Sequence, residues 1–278
     1  MRACPGVTAW SVARMRAKHQ VVDGADGFVD PYALRVLDSD GREMIGEPDS
    51  AHAARHRAFV AVRSRIADDG LVAAHARGVS QVVILGAGLD TTGFRHGRNG
   101  GGLRVFEADK RLMQEWKRSH LERIGLTVPD SVTYVPVDFE RDVLAEELNK
   151  AGVDAGAPVF FIWLGVVPYL AADAVHGTLT LAASYPAAEI VFDYAEPPEN
   201  LSPSVRAAFE LLRQRVAQIG EPLVTTFDPP TLRETLRGVG FGRVDDHDHV
   251  HLFSRYSSRD LGLPTSGSGG RVVHASRQ

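Results

Sequence analysis

The run Val82-Val83-Ile84-Leu85, breaking into Gly86-Ala87-Gly88-Leu89-Asp90, constrains the fold more than any other part of the chain. A short apolar, β-branched run with no polar alternation suits a parallel strand buried on both faces. A Gly-x-Gly break followed by a helix start is how α/β proteins build a ligand site at the carboxyl end of a first strand. Glycines at 86 and 88 remove the Cβ atoms that would hold a ligand off the backbone. Asp90 is placed to cap the next helix, whose free N–H groups face the same spot.

The residues around the turn discriminate between cofactors. A dinucleotide turn needs a third glycine so that helix and strand pack closely. Thr91 stands there instead, and Gly93 comes two residues late. Asp90 would also meet a pyrophosphate as a like charge. S-adenosyl-L-methionine carries a sulfonium and an ammonium but no phosphate, so acids near the glycines are tolerated. A second strand, Leu103-Arg104-Val105-Phe106, ends in Glu107-Ala108-Asp109. A carboxylate at that tip, about twenty residues after the glycines, holds ribose hydroxyls in either cofactor class. The spacing favours a cofactor site over a bare tight turn.

Composition narrows the partners. With 278 residues, 44% hydrophobic and 24% charged, the chain can bury one large core. A net charge of −4 and a pI near 6.3 offer no basic field for nucleic acid. One cysteine, Cys4, allows no internal disulfide and fits a reducing, cytoplasmic compartment. The longest apolar stretch, 157–170, is interrupted by Pro158, Gly165 and Pro168, so no membrane span is expected. Arg2, Arg14, Arg16 and Lys18 without an early acid read as one face of an amphipathic helix with Trp10 and Val12 inward, rather than as a transit peptide.

The expected organisation is an N-terminal helical lid over 1–78, a core over 79–262, and a tail over 263–278. The lid contains the turn at Asp30-Pro31 and a long helix with Phe59, Val62 and Ile66 on one face. In the core, strands are expected at 81–86, 103–108, 132–137, 158–163 and 189–194. Helices are expected near 91–97, 109–124 (Leu112, Trp116 and Ile124 inward), 140–150 and 171–184. That alternation implies an α/β, Rossmann-like, mostly parallel sheet with right-handed crossovers. A helical insertion spans about 202–237: Ser202-Pro203 opens one helix striped with Val205, Phe209, Leu212, Val216 and Ile219, and a shorter one follows near 229–237. Strands near 242–247 and 249–255 are expected to close the sheet as a hairpin-like pair, one antiparallel strand lying near the C-terminus. Residues 263–270 have loop composition.

Four blocks now stand in order: Leu85-Gly86-Ala87-Gly88-Leu89-Asp90-Thr91, Val105-Phe106-Glu107-Ala108-Asp109, Pro136-Val137-Asp138-Phe139-Glu140 and Trp163-Leu164-Gly165-Val166-Val167-Pro168-Tyr169-Leu170. In order and spacing the chain resembles the leucine carboxyl methyltransferase-like family of class I methyltransferases. The resemblance runs from about Ala9 through Asp30-Pro31, Arg63-Ser64-Arg65 and Phe192-Asp193-Tyr194 to Arg255-Tyr256. It implies S-adenosyl-L-methionine as donor, S-adenosyl-L-homocysteine as product, and O-methylation of a small molecule of secondary metabolism at a carboxylate or hydroxyl.

The resemblance also implies roles. Arg63 pairs with the donor's carboxylate, with Arg65 as the alternative. Gly86, Ala87 and Gly88 form the turn beneath the donor, Glu107 or Asp109 holds its ribose, and Asp138 with Phe139 meets the adenine. Leu164 stands where much of the family has an acid beside the donor's amino group, and Thr92 where it often has arginine. Asp90 or a backbone carbonyl could supply the missing charge.

Candidate groups on the acceptor side are His19, Tyr169 and Tyr194. A phenol or alcohol acceptor needs a base, commonly histidine, whereas a carboxylate needs none. His247, His249 and His251 alternate along the last predicted strand, but without supporting ligands they read as a solvated hairpin rather than a metal site. Residues 1–45 are expected to lie over the strand ends and shape the acceptor pocket. Two other functions stay open at this point: a non-catalytic donor-binding protein, allowed by Leu164, and a nicotinamide-dependent oxidoreductase, opposed by Thr91.

Overall fold

A computed structural model describes residues 6–97, 102–258 and 269–277. Seven strands form one sheet: β1 (Gln81–Leu85), β2 (Arg104–Asp109), β3 (Val132–Pro136), β4 (Val159–Trp163), β5 (Glu189–Ala195), β6 (Arg243–Asp248) and β7 (Gly270–Ser276). Their order is β3-β2-β1-β4-β5-β7-β6. The first five pair in parallel, and β7 runs antiparallel to both of its neighbours. The helices are α1 (Val7–Val22), α2 (Ser39–Glu43), α3 (Ala51–Ala76), α4 (Thr92–His96), α5 (Arg111–Arg123), α6 (Leu144–Lys150), α7 (Ala172–Ser184), α8 (Pro203–Gln218), α9 (Pro229–Val239) and α10 (His249–Tyr256). No helix among the described residues is long and apolar enough to cross a membrane.

The alternation of side chains along each strand feeds two cores. Val83, Leu85, Phe161, Trp163 and Phe192 face the side covered by α6, α7 and α9. Val82, Ile84, Phe160, Ile162 and Val191 face the side covered by α3 and α10. Burial on both faces is why these strands read as unbroken apolar runs.

A third, smaller core lies under α1, where Ala13 and Ala17 meet Leu37, Leu89 and Met113. Trp10 packs edge-on against Trp116 of α5 at 5.9 Å. The buried face of α1 is Ala13, Arg16, Ala17 and His19, so the expected Trp10–Val12 face is turned by about one residue.

Several expectations are corrected. Residues 249–255 form helix α10 rather than a strand, because Asp248 caps the N–H of His251 at 2.8 Å and His249, Leu252 and Phe253 share a buried face. The antiparallel strand is β7, drawn from the expected tail, whose Val272 and Val273 are both buried. Of the expected loop at 263–270, residues 263–268 lie outside the described residues. On α5 the buried positions are Met113, Gln114, Lys117, His120 and Leu121, while Leu112 is 61% exposed. Ser202 makes no capping hydrogen bond.

Candidate functional site

The loops that leave the carboxyl ends of β1 to β5 converge where an open α/β sheet places its ligand crevice. The first turn is built by backbone geometry. Gly86 has φ +68° and Gly88 φ +42°, and a Cβ added to Gly86 would lie 2.3 Å from Val166 Cγ2. Left-handed φ and close approach together demand glycine at 86. The Gly88 N–H donates to Asp109 Oδ2 at 2.6 Å, and the Lys110 N–H to Oδ1 at 2.7 Å. Asp109 thus locks the tip of β2 to the turn while staying half-buried. Burial pushes its carboxyl up, against the pull of those two N–H groups.

Glu107 is placed differently from its neighbour. It is 1% exposed, and Lys117 Nζ reaches its Oε2 at 2.6 Å. Lys117 also donates to the Asp90 carbonyl. Glu107 therefore anchors α5 beneath the turn, and of the two acids only Asp109 remains at the surface of the crevice. Asp138 accepts from the Glu140 N–H at 3.2 Å, and Phe139 lies half-buried against the core at the end of β3. Ala87 is buried within the turn.

The N-cap of α4 is Thr91 and not the expected Asp90; Asp90, one residue earlier, accepts from the Thr92 N–H at 2.6 Å. Burial opposes its charge, but Arg16 and Arg95 prevail and hold its carboxyl below the usual range. Arg16, on α1, stands 3.5 Å from Asp90 and also donates to the Leu89 carbonyl. The N-terminal segment is tied to the turn a second time through Asp30, which accepts from the Thr91 hydroxyl at 2.6 Å and faces Arg95 at 3.5 Å. A third tie lies across the crevice. Glu221 accepts from the N–H groups of Val7 and Thr8 at 3.2 and 3.1 Å, and its charge also acts on the Tyr169 phenol. Burial pushes that phenol up to about 12. Cavities of about 130 Å³ between α1 and the start of α3, and of about 220 Å³ between α3, β6 and α10, lie away from this turn.

Arg63 projects from α3 to the ends of β4 and β5. It donates to Asp193 Oδ2 at 2.6 Å, and the Gly165 N–H donates to Asp193 Oδ1 at 2.5 Å. The Arg63 Nε is buried and has no partner among the described residues. Asp193 was missed at the sequence level, although it sits in the quoted Phe192-Asp193-Tyr194. It places a carboxylate beside Leu164-Gly165, where Leu164 itself packs on the apolar core. Arg65 is not brought to this point; it pairs with Asp69 at 2.8 Å.

Two acceptor-side candidates lie elsewhere. His19 Nδ1 is 3.1 Å from Asp23, which Arg57 of α3 clamps, so it belongs to the α1–α3 interface. Tyr194 is 2% exposed and donates to Asp246 at 3.0 Å inside the core. Of the three, only Tyr169 borders the crevice. His247 and His251 stack at 4.9 Å across the β6–α10 junction, and His249 approaches the Gly270 carbonyl at 3.3 Å.

A histidine that sequence reading overlooked, His56, lies two turns before Arg63 on α3. Burial first, then Arg63 and His52, push its imidazole down to about 4. Burial does the same to His249. The unfolded chain takes up these protons near pH 6.5 and the native state only near pH 4, so stability must fall as pH drops through that window. At most about 3 kcal/mol per group is at stake. Urea unfolding at pH 7 and pH 4.5 should show the loss, and His249→Gln should reduce it.

Comparison with known proteins agrees with this geometry. The family model described as leucine carboxyl methyltransferase matches residues 9–183. A Mycolicibacterium gilvum protein with the provisional name S-adenosyl-L-methionine-dependent methyltransferase is 33% identical over 98% of this chain and 93% of its own length. A Bacillus subtilis protein, provisionally named S-adenosyl-L-methionine-dependent methyltransferase YktD, is 32% identical over 59% of this chain; the match spans about half of that relative, 54%. The crystal structure of the S-adenosylmethionine-dependent methyltransferase SibL in its apo form aligns with a TM-score of 0.51 at 15% identity, covering 96% of this chain and 74% of that one, a likeness of fold. With the glycine turn, the acid at the tip of β2 and the order of the strands all in place, the chain belongs to the leucine carboxyl methyltransferase family.

Proposed function

We propose that this protein is a methyltransferase that uses S-adenosyl-L-methionine to methylate an oxygen, carboxylate or hydroxyl, of a small molecule of secondary metabolism. One observation carries the reading: Asp109 holds the Gly88 N–H at 2.6 Å and stays half-exposed at the tip of β2, next to a turn that also carries the ionised Asp90. Such an acidic collar suits a cationic donor with a ribose and repels a pyrophosphate, which speaks against the nicotinamide reading.

The residues fit that donor. Arg63 would receive its carboxylate, for which the unpartnered, buried Nε is a ready donor. Asp193 would neutralise its ammonium in place of the acid that Leu164 lacks. Asp109 would accept from the ribose hydroxyls, and Asp138 from the adenine amino group with Phe139 against the ring.

The donor supplies a methyl group already activated by its sulfonium. What remains for the chain is alignment and the exclusion of water. Helix α1, pinned by Arg16, Asp30 and Glu221, lies over the strand ends as a lid. It shares a core with Leu37 and Leu89, so its role is better tested by Glu221→Gln than by deletion.

Asp109→Asn should weaken S-adenosyl-L-homocysteine binding by about 1–3 kcal/mol, the scale of a charge-assisted hydrogen bond; calorimetry reads it directly. Turnover is tested by incubating the protein with methyl-labelled donor and an extract of small metabolites. Label should enter a small molecule, with mass spectrometry as the readout. Mild alkali then sorts the product, since an ester releases its methyl group and an ether keeps it. Donor binding without any labelled product would favour a non-catalytic protein.

A further inference from the structure

Helix α1 has a second face, turned away from the glycine turn. At about 100° per residue, Arg14 stands about 200° around the helix from Arg16, the residue that reaches Asp90. Ser11, Arg14, Met15 and Lys18 recur at steps of three and four, so they share this outer face. They line the cavity of about 130 Å³ that α1 shares with the turn at Met44–Gly46 and the start of α3. That volume is roughly ten times what a single water needs, enough for an organic molecule.

The cations around the cavity are unequally served. Arg57 is buried and fully committed: two of its nitrogens meet Asp23 at 2.6 and 2.9 Å, and a third meets Asp49. Lys18 shares Asp49, at 2.7 Å, and donates to the Glu47 carbonyl. Arg14 is left over. Its guanidinium makes no hydrogen bond or ion pair with any described residue, and its Nε is buried without a partner. A buried donor on a charged group is costly to leave without an acceptor. Met15, Met44 and Ile45 supply an apolar wall to the same cavity.

We propose that this cavity is a second ligand site, which takes a small organic monocarboxylate: its carboxylate pairs with Arg14, and its apolar body lies against Met15, Met44 and Ile45. The planar guanidinium fork matches a carboxylate in shape and charge. Asp49 and Glu47 also line the cavity, so a doubly charged phosphate meets more like-charge repulsion there than a monoanion does. The occupant sits behind the lid rather than beneath it, and is therefore not the methyl acceptor. It joins α1, the turn at 44–46 and α3, steadying the lid from outside. The site stands independently of the methyltransferase reading.

Methyl NMR of methionine-labelled protein tests the location, because two of the four methionines stand in this wall. Hexanoate should shift the signals of Met15 and Met44, assigned by their loss in Met15→Leu and Met44→Leu. Met113, in the core beneath α1, should move much less. The absence of any Met15 or Met44 shift at millimolar hexanoate overturns the site.

Calorimetry tests the chemistry. One hexanoate should bind per chain, with an affinity at least about tenfold lower in Arg14→Gln, the scale of a lost charge-assisted pair. Hexanamide, similar in shape but uncharged, and inorganic phosphate should each bind wild type at least about tenfold more weakly than hexanoate. Without ligand, Arg14→Gln should melt no lower than wild type, since it removes an unpartnered charge. Equal hexanoate binding by Arg14→Gln, or equal binding of hexanamide, would reduce the site to an apolar void and overturn the proposal. Phosphate binding as tight as hexanoate would overturn the choice of an organic monoanion. A lower melting temperature for Arg14→Gln would show that the fold itself uses Arg14, and would overturn its role as a free ligand group.

Discussion

Replacing Gly86 by valine is expected to abolish S-adenosyl-L-homocysteine binding and to lower the melting temperature. Two independent costs meet at this residue. Its φ of +68° lies in the left-handed region, which costs an L-residue roughly 1–2 kcal/mol and a β-branched one more. Its new Cβ would also stand 2.3 Å from Val166, so the segment after β4 must move, carrying Gly165 and its bond to Asp193 with it. Gly78→Ala separates the two costs. Gly78 has φ +99° with nothing within 4 Å of an added Cβ, so that variant bears the backbone strain alone and should bind as wild type. Normal binding by Gly86→Val would place the donor elsewhere.

Asp193→Ala is expected to destabilise the fold by about 3–5 kcal/mol, the cost of leaving one member of a buried ion pair unpaired. Both side chains are 7% exposed, so water cannot take over from the lost carboxylate. The Gly165 N–H loses its acceptor in the same variant. Asp193→Asn keeps an oxygen for Gly165 and should lose less. The urea midpoint at constant m-value is the measurement. Saturating S-adenosyl-L-homocysteine should restore part of the loss in Asp193→Ala, since the donor's carboxylate gives Arg63 a partner. Equal stability of Asp193→Ala and wild type would mean that Arg63 is not held by this pair.

The strands β1 to β5 and the turn at 86–90 were legible because burial on both faces writes an unbroken apolar run, and because the left-handed turn selects glycine. Spacing along the chain pointed to an acid at the tip of β2 but left Glu107 and Asp109 both open; burial of Glu107 against Lys117 separates them. The last third was less legible. His247, His249 and His251 alternate as in a strand, yet the cap at Asp248 and the face formed by His249, Leu252 and Phe253 decide for helix α10. Strand β7 is a short segment inserted between β5 and β6; its place depends on long-range pairing that no local pattern announces. For the same reason Asp193 escaped notice: it gains its meaning from Arg63, 130 residues away along the chain.

The measurement that tests the central claim most directly is calorimetry of the wild-type protein with S-adenosyl-L-homocysteine and, separately, with NADP. The acidic collar of Asp90 and Asp109 around the glycine turn predicts one S-adenosyl-L-homocysteine bound per chain and no NADP. Binding of NADP at a site that S-adenosyl-L-homocysteine cannot occupy would contradict the account.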